Sequence, residues 1–144
     1  MRPVILVLLF FTSLLSNAQS SLNLSFGVSI RIACGFVGET STEVSSIQQL
    51  VSSKNYNLIR KKLNEGNKTE ALLSTIALIE LQSKQRLELT PDEQSRINEI
   101  VSWKDEYTVC YTCTQHFKGT VSQLLQNKSS LVYLLLKQTI IKEE

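Results

Sequence analysis

The chain has 144 residues, 42% hydrophobic and 19% charged, with 15 Lys+Arg against 13 Asp+Glu and a formal net charge of +2. Five Gly, two Pro and three Cys exclude collagen and a disulfide-dense toxin scaffold, and the mixed charge excludes a disordered acidic or basic tail. With no clustered basic excess, a nucleic-acid partner is not expected.

Arg2 supplies a minimal positive start, Val4 begins an unbroken apolar run to Phe11, and Leu14-Leu15 extends it. Ser16-Asn17-Ala18 then offers small residues at both positions that signal peptidase reads. Residues 1–18 are therefore expected to be a secretory signal peptide, cut between Ala18 and Gln19. Residues 4–15 are short of the roughly 20 apolar residues that a spanning helix needs, and no transmembrane segment is expected in the mature chain. The expected location is secreted or periplasmic. Arg31 stands where a lipobox requires an apolar residue, which weakens a lipoprotein reading of Ile32-Ala33-Cys34.

Residues 19–40 form an extended N-terminal segment. Leu22, Leu24, Phe26, Val28, Ile30 and Ile32 alternate with polar or small residues, the period of a half-buried strand. Residues 41–104 change to the helical period. Thr40 and Glu43 have capping-box spacing, and Val44, Ile47, Leu50 and Val51 follow at helical intervals. Tyr56, Ile59 and Leu63 mark a second helix, with Gly66 expected as its C′ residue. Asn67 and Glu70 cap a third, about 68–85, which is apolar on nearly every side and is expected to lie centrally. Thr90-Pro91-Asp92-Glu93 combines an N-cap, a proline at N1 and an acidic first turn; Ile97, Ile100 and Val101 form that helix's inner stripe.

Residues 105–119 are a Cys-containing loop or strand. Tyr107, Val109, Tyr111 and Cys113 alternate, and this run can pair with the N-terminal strand as a small ribbon. Trp103, Tyr107 and Tyr111 form either an exposed aromatic patch or the cover of a core end. Residues 120–144 are a C-terminal helical segment. Its apolar run Leu131-Val132-Tyr133-Leu134-Leu135-Leu136 reads as a helix capped by Ser129 or Ser130 rather than as a strand. The fold class is thus mostly α, a short helical-hairpin bundle with an N-terminal β-strand or small ribbon.

The helices have a resemblance. The stretch from Ile47 to Leu63, the Gly66-Asn67 turn and Glu70-Ala71-Leu72-Leu73-Ser74-Thr75-Ile76-Ala77-Leu78 resemble one HEAT-type unit. From Ser45 to Ile100 the chain is also similar to a group of small uncharacterised secreted bacterial proteins. The motifs that carry the likeness are Asn55-Tyr56-Asn57-Leu58-Ile59-Arg60, Ile76-Ala77-Leu78, Leu89-Thr90-Pro91-Asp92-Glu93 and the later Cys110-Tyr111-Thr112-Cys113-Thr114. The resemblance implies a HEAT-like helical core closed by flanking segments. It implies no activity, and residues 44–103 hold two helix pairs at most, below the three repeats a solenoid needs.

Cys34, Cys110 and Cys113 are the disulfide candidates, and an odd count leaves one over. One reading is a structural disulfide from Cys34 to Cys110 or Cys113. Another is a Cys110–Cys113 bond with Cys34 free. A third is a metal cluster of Cys34, Cys110, Cys113 and His116, a Cys₃His set suited to zinc. A fourth is a redox Cys-x-x-Cys, although no helix start directly follows Cys113 to lower a thiol pKa. The run Arg60-Lys61-Lys62 reads as a solvated helix face with glutamates nearby. Gly-x-Ser-x-Gly, His-Glu-x-x-His, P-loop and Gly-x-Gly-x-x-Gly motifs are all missing from the sequence. The expectation is a non-enzymatic interaction or structural protein of the cell envelope, with no cofactor and an unknown protein partner. The alternative is a small metal- or thiol-dependent protein built on the Cys34/Cys110/Cys113/His116 cluster.

Overall fold

A computed structural model describes residues 27–34, 38–112 and 114–141. The expected signal peptide with its expected cleavage pair, Ala18 and Gln19, the upstream half of the alternating run and Cys113 lie outside the described residues. In chain order the elements are β1 (Val28–Arg31), α1 (Thr42–Ser52), α2 (Tyr56–Glu65), α3 (Lys68–Ser83), α4 (Pro91–Val101), β2 (Glu106–Cys110), β3 (His116–Thr120), α5 (Val121–Gln126) and α6 (Leu131–Ile140). The chain is mostly helical with one small sheet, the expected class.

Helix α3 is the axis of the fold. Ten of its residues are buried, from Ala71 to Leu78 and then Glu80 and Leu81, so neighbours cover it on nearly every side. Helices α1, α2, α4 and α6 and strand β1 all pack on it. The other helices bury one stripe each: Val44, Ile47 and Val51 on α1, Ile59 and Leu63 on α2, Ile97 and Ile100 on α4. Capping boxes close the starts of α3 and α4. Asn67 Oδ1 accepts from the Glu70 N–H at 2.9 Å, and the Glu93 carboxylate accepts from the Thr90 N–H at 2.8 Å. These starts and the helical C-terminal run match the sequence expectations.

Two caps differ from expectation. Thr40 and Glu43 form no capping box. The Thr40 hydroxyl instead donates to the Ile32 carbonyl at 2.6 Å, and Ser41 is the N-cap of α1 without a side-chain bond. The chain end of the sheet is close enough to claim the threonine. Gly66 is not left-handed; it is extended, at φ −72° and ψ 166°. A close approach explains the glycine better than any dihedral does. A Cβ there would lie 2.5 Å from the Lys62 carbonyl oxygen and 2.8 Å from Glu70 Cβ. Gly66→Ala is therefore expected to pry the end of α2 from the start of α3, costing about 2 kcal/mol and visible as a lower urea midpoint at unchanged slope.

The sheet has the order β1-β2-β3, with β1 parallel and β3 antiparallel to β2. Val28 and Ile30 align with Tyr107 and Val109, which face Gly119 and Phe117. Alternation puts all six positions on the side towards the helices. Strand β3 has little apolar content, but the Tyr107 ring fills the place of the missing side chain at Gly119, where a Cβ would lie 2.9 Å from Cε1. The ribbon expected from β1 and β2 is thus a three-stranded sheet. Of the long alternating run, the described strand keeps only Val28–Arg31.

Candidate functional site

The four residues of the sequence cluster lie at one end of the sheet, apart from Cys113, which is outside the described residues. Parallel pairing sets Arg31 beside Cys110, and the Ile32 N–H donates to the Cys110 carbonyl at 2.9 Å. This carries Cys34 to Cys110, and the two form a disulfide with a Cα–Cα distance of 5.8 Å. The bond uses both sulfurs. A simultaneous Cys110–Cys113 bond is excluded, and neither sulfur is a thiolate ligand in this state. His116 faces Cys110 across the hairpin, on the outer side of the sheet. Among the described residues no group of three or more His, Cys, Asp or Glu is placed to hold a metal.

Several charged residues fasten a helix to its neighbour or to the segment before β2. Arg60 lies 3.1 Å from a Glu93 carboxylate oxygen and donates to the Glu88 carbonyl at 2.7 Å, tying α2 to the start of α4. Lys62 pairs with Glu70, and Lys68 pairs with Asp105. The Lys62 hydrogen bond is the main reason the Glu70 carboxyl sits below its usual range. The basic run of α2 is thus engaged with acidic neighbours. Arg96 lies 5.6 Å above the Trp103 ring, while Tyr107 is buried and Trp103 and Tyr111 are half-buried. Tyr107 and Trp103 thus cover an end of the core, while Tyr111 packs on the core with one side and keeps the other open.

Sequence reasoning missed a polar triad in which Glu80 and Tyr133 are buried and Lys137 is half-buried. Glu80 of α3 is 5% exposed. One of its oxygens accepts from the Tyr133 hydroxyl at 2.7 Å, and the other lies 2.8 Å from Lys137 Nζ. Burial pushes the Glu80 carboxyl up, but the Lys137 and Tyr133 hydrogen bonds and the Lys137 and Lys128 charges together outweigh it and hold the carboxyl below its ordinary value. Burial, and the Glu80 carboxylate beside it, raise the Tyr133 hydroxyl. With all three groups partnered, the triad is a clasp between α3 and α6. The signal for it was a lone glutamate between Ile79 and Leu81, in an otherwise apolar run.

The feature with the character of a binding surface lies beside α6. Leu131 and Leu134 are 60% and 46% exposed, large apolar side chains one turn apart at the start of the helix. Leu131 and Leu135 form one wall of an open groove of about 440 Å³, and Tyr111 and Phe117 of the hairpin form the other. Thr114, Gln115 and His116 close its end. No acidic residue lines it. A second groove, of about 370 Å³, holds exposed Leu58 but is rimmed by Lys61, Lys62, Glu65 and Glu70, whose charges favour water. No protein-family model, no curated protein and no solved structure matches this chain.

Proposed function

We propose that the chain is an exported, non-enzymatic interaction protein that holds a protein partner at the groove between α6 and the β2–β3 hairpin. The observation that carries this reading is the groove itself. Half-buried Tyr111 and Phe117 face exposed Leu131 across an uncharged lining, the composition of a contact surface rather than of a solvated one. Support for export is the disulfide, which persists in oxidising compartments, together with the apolar start of the sequence. No helix among the described residues is long and apolar enough to cross a membrane, which is compatible with this location. The HEAT-like reading of the core is supported by α2 and α3, which pack along each other across the short Gly66-Asn67 link. The metal- or thiol-dependent alternative is disfavoured, because two of its four donors are spent in a disulfide.

The test is site-specific photo-crosslinking in the native envelope. A benzophenone side chain in place of Leu131 is expected to give a discrete heavier adduct, and the same group in place of exposed Gln94 on α4 is expected to give none. Equal labelling from both positions, or none from position 131, overturns the reading.

A further inference from the structure

Strand β3 is an edge strand, and its outer side is unpaired among the described residues. The ladder shows which backbone groups are open. The Tyr111 N–H donates to the Gln115 carbonyl at 3.0 Å, and the Val121 N–H donates to the Asp105 carbonyl at 2.9 Å. These bonds bracket the β2–β3 pairing, so Phe117 and Gly119 point their backbone groups towards β2. His116, Lys118 and Thr120 point theirs away. Thr120 is used, because its N–H donates to Gln123 Oε1 at 3.3 Å in the capping box of α5. His116 and Lys118 each keep a donor and an acceptor aimed outward. The apolar groove opens at the start of this edge, where His116 and Phe117 of β3 line it together with Leu131 and Leu135.

We propose that the β3 edge and the groove together receive an extended segment of a partner protein, added as a fourth strand. The proposal rests on the interaction reading above and specifies its mode. Every second side chain of the segment enters the groove between Phe117 and the leucines of α6, while its backbone pairs with His116 and Lys118. Charge selects the occupant. Lys118 sits at the centre of β3, on the exposed face. If a second copy paired edge to edge in antiparallel fashion about that centre, Lys118 would face Lys118, a repulsive pair. A partner strand with a carboxylate at that position meets the lysine favourably instead. The fitting chemistry is therefore an extended segment with alternating apolar residues and an acidic residue on its outward face.

The probe is the acetylated, amidated hexapeptide Thr-Val-Asp-Val-Thr-Val, titrated into the full exported chain with its disulfide formed and followed by amide NMR. Two companion probes carry Lys in place of Asp, or N-methyl groups on the amides facing β3. The Asp peptide is expected to give saturable shifts at His116, Lys118 and residues 131–135. The N-methylated peptide is expected to give none. Lys118→Glu is expected to reverse the preference between the Asp and Lys peptides by about three- to tenfold. Equal shifts from the N-methylated peptide would mean docking without strand addition. A concentration-dependent dimer paired through β3 would assign the edge to a second copy. Binding that appears only after residues 19–26 are deleted would assign it to the chain's own N-terminal segment. Each of these, or the absence of any saturable shift, overturns the proposal. If the position-131 crosslink persists beside such a failure, the interaction reading stands and only its strand-addition form falls.

Discussion

Replacing Cys34 with serine is expected to lower the stability of the folded chain by about 3–4 kcal/mol and its thermal midpoint by about 10–15 °C. The bond joins residues 76 apart in sequence. Loop-closure entropy for a loop of this length gives about 4.5 kcal/mol, and residual structure in the unfolded chain trims that value. Position adds a second reason. The β1–β2 pair is parallel and short, and its two strands are separated in sequence by four helices. A parallel contact of such long range is not nucleated by a turn, so it is exposed to loss when the cross-link is absent. The loss should be uneven. In hydrogen exchange, Ser29 to Ile32 and Thr108 to Cys110 should lose protection before α3 does. A Cys34→Ser variant that melts within 3 °C of the parent would show that strand pairing and the core hold the sheet without the bond. Cys110→Ser combined with Cys113→Ser, which removes the substitute partner, should match Cys34→Ser in magnitude, because the same bond is lost.

Much of this fold is legible in the sequence, for definable reasons. Helix starts are encoded locally: Asn67 with Glu70, and Thr90 with Pro91 and Glu93, satisfy backbone donors within one turn. The all-round apolar face of α3 announces a central position because solvent tolerates no such surface. Strand β3 is hidden. Only Phe117 among its five residues carries a large apolar side chain, and the Tyr107 ring that completes its inner face comes from the neighbouring strand. Thr120 and Gln123 did have capping-box spacing, a signal that would have placed α5 and so ended β3. The parallel register of β1 on β2, and hence the choice of Cys110 as the partner of Cys34, depends on helices packed between them in sequence. No local spacing encodes it. The groove is hidden for the same reason, since Phe117 and Leu131 belong to elements that only the assembled core brings side by side.

The Glu80 clasp belongs to the same class of long-range feature, with Tyr133 fifty-three residues away, and it carries the second large expected effect. Glu80→Ala should cost about 3 kcal/mol, because it removes the shared acceptor and leaves a buried hydroxyl and a half-buried ammonium without it. Lys137 keeps about a third of its side-chain surface in water, so its share of that cost is the smaller one. Tyr133→Phe should cost about 1–1.5 kcal/mol, since the carboxylate retains Lys137. If the clasp acts as a unit, the double variant should be less destabilised than the sum of the single ones. The pH dependence follows from the direction of the carboxyl shift. A folded carboxyl held below its unfolded value of about 4.5 binds its proton less readily than the unfolded chain does. Its contribution is therefore complete above that value and is lost as pH falls through the lower, folded value. Glu80→Gln has no such charge to titrate. Its stability deficit should be constant from neutral pH to about pH 5 and should shrink steadily below pH 4.5. Urea unfolding of the parent and Glu80→Gln between pH 7 and pH 2.5 measures that difference. A deficit independent of pH would mean that Glu80 acts through shape and hydrogen bonding alone, and that α6 is held to α3 without help from the charge.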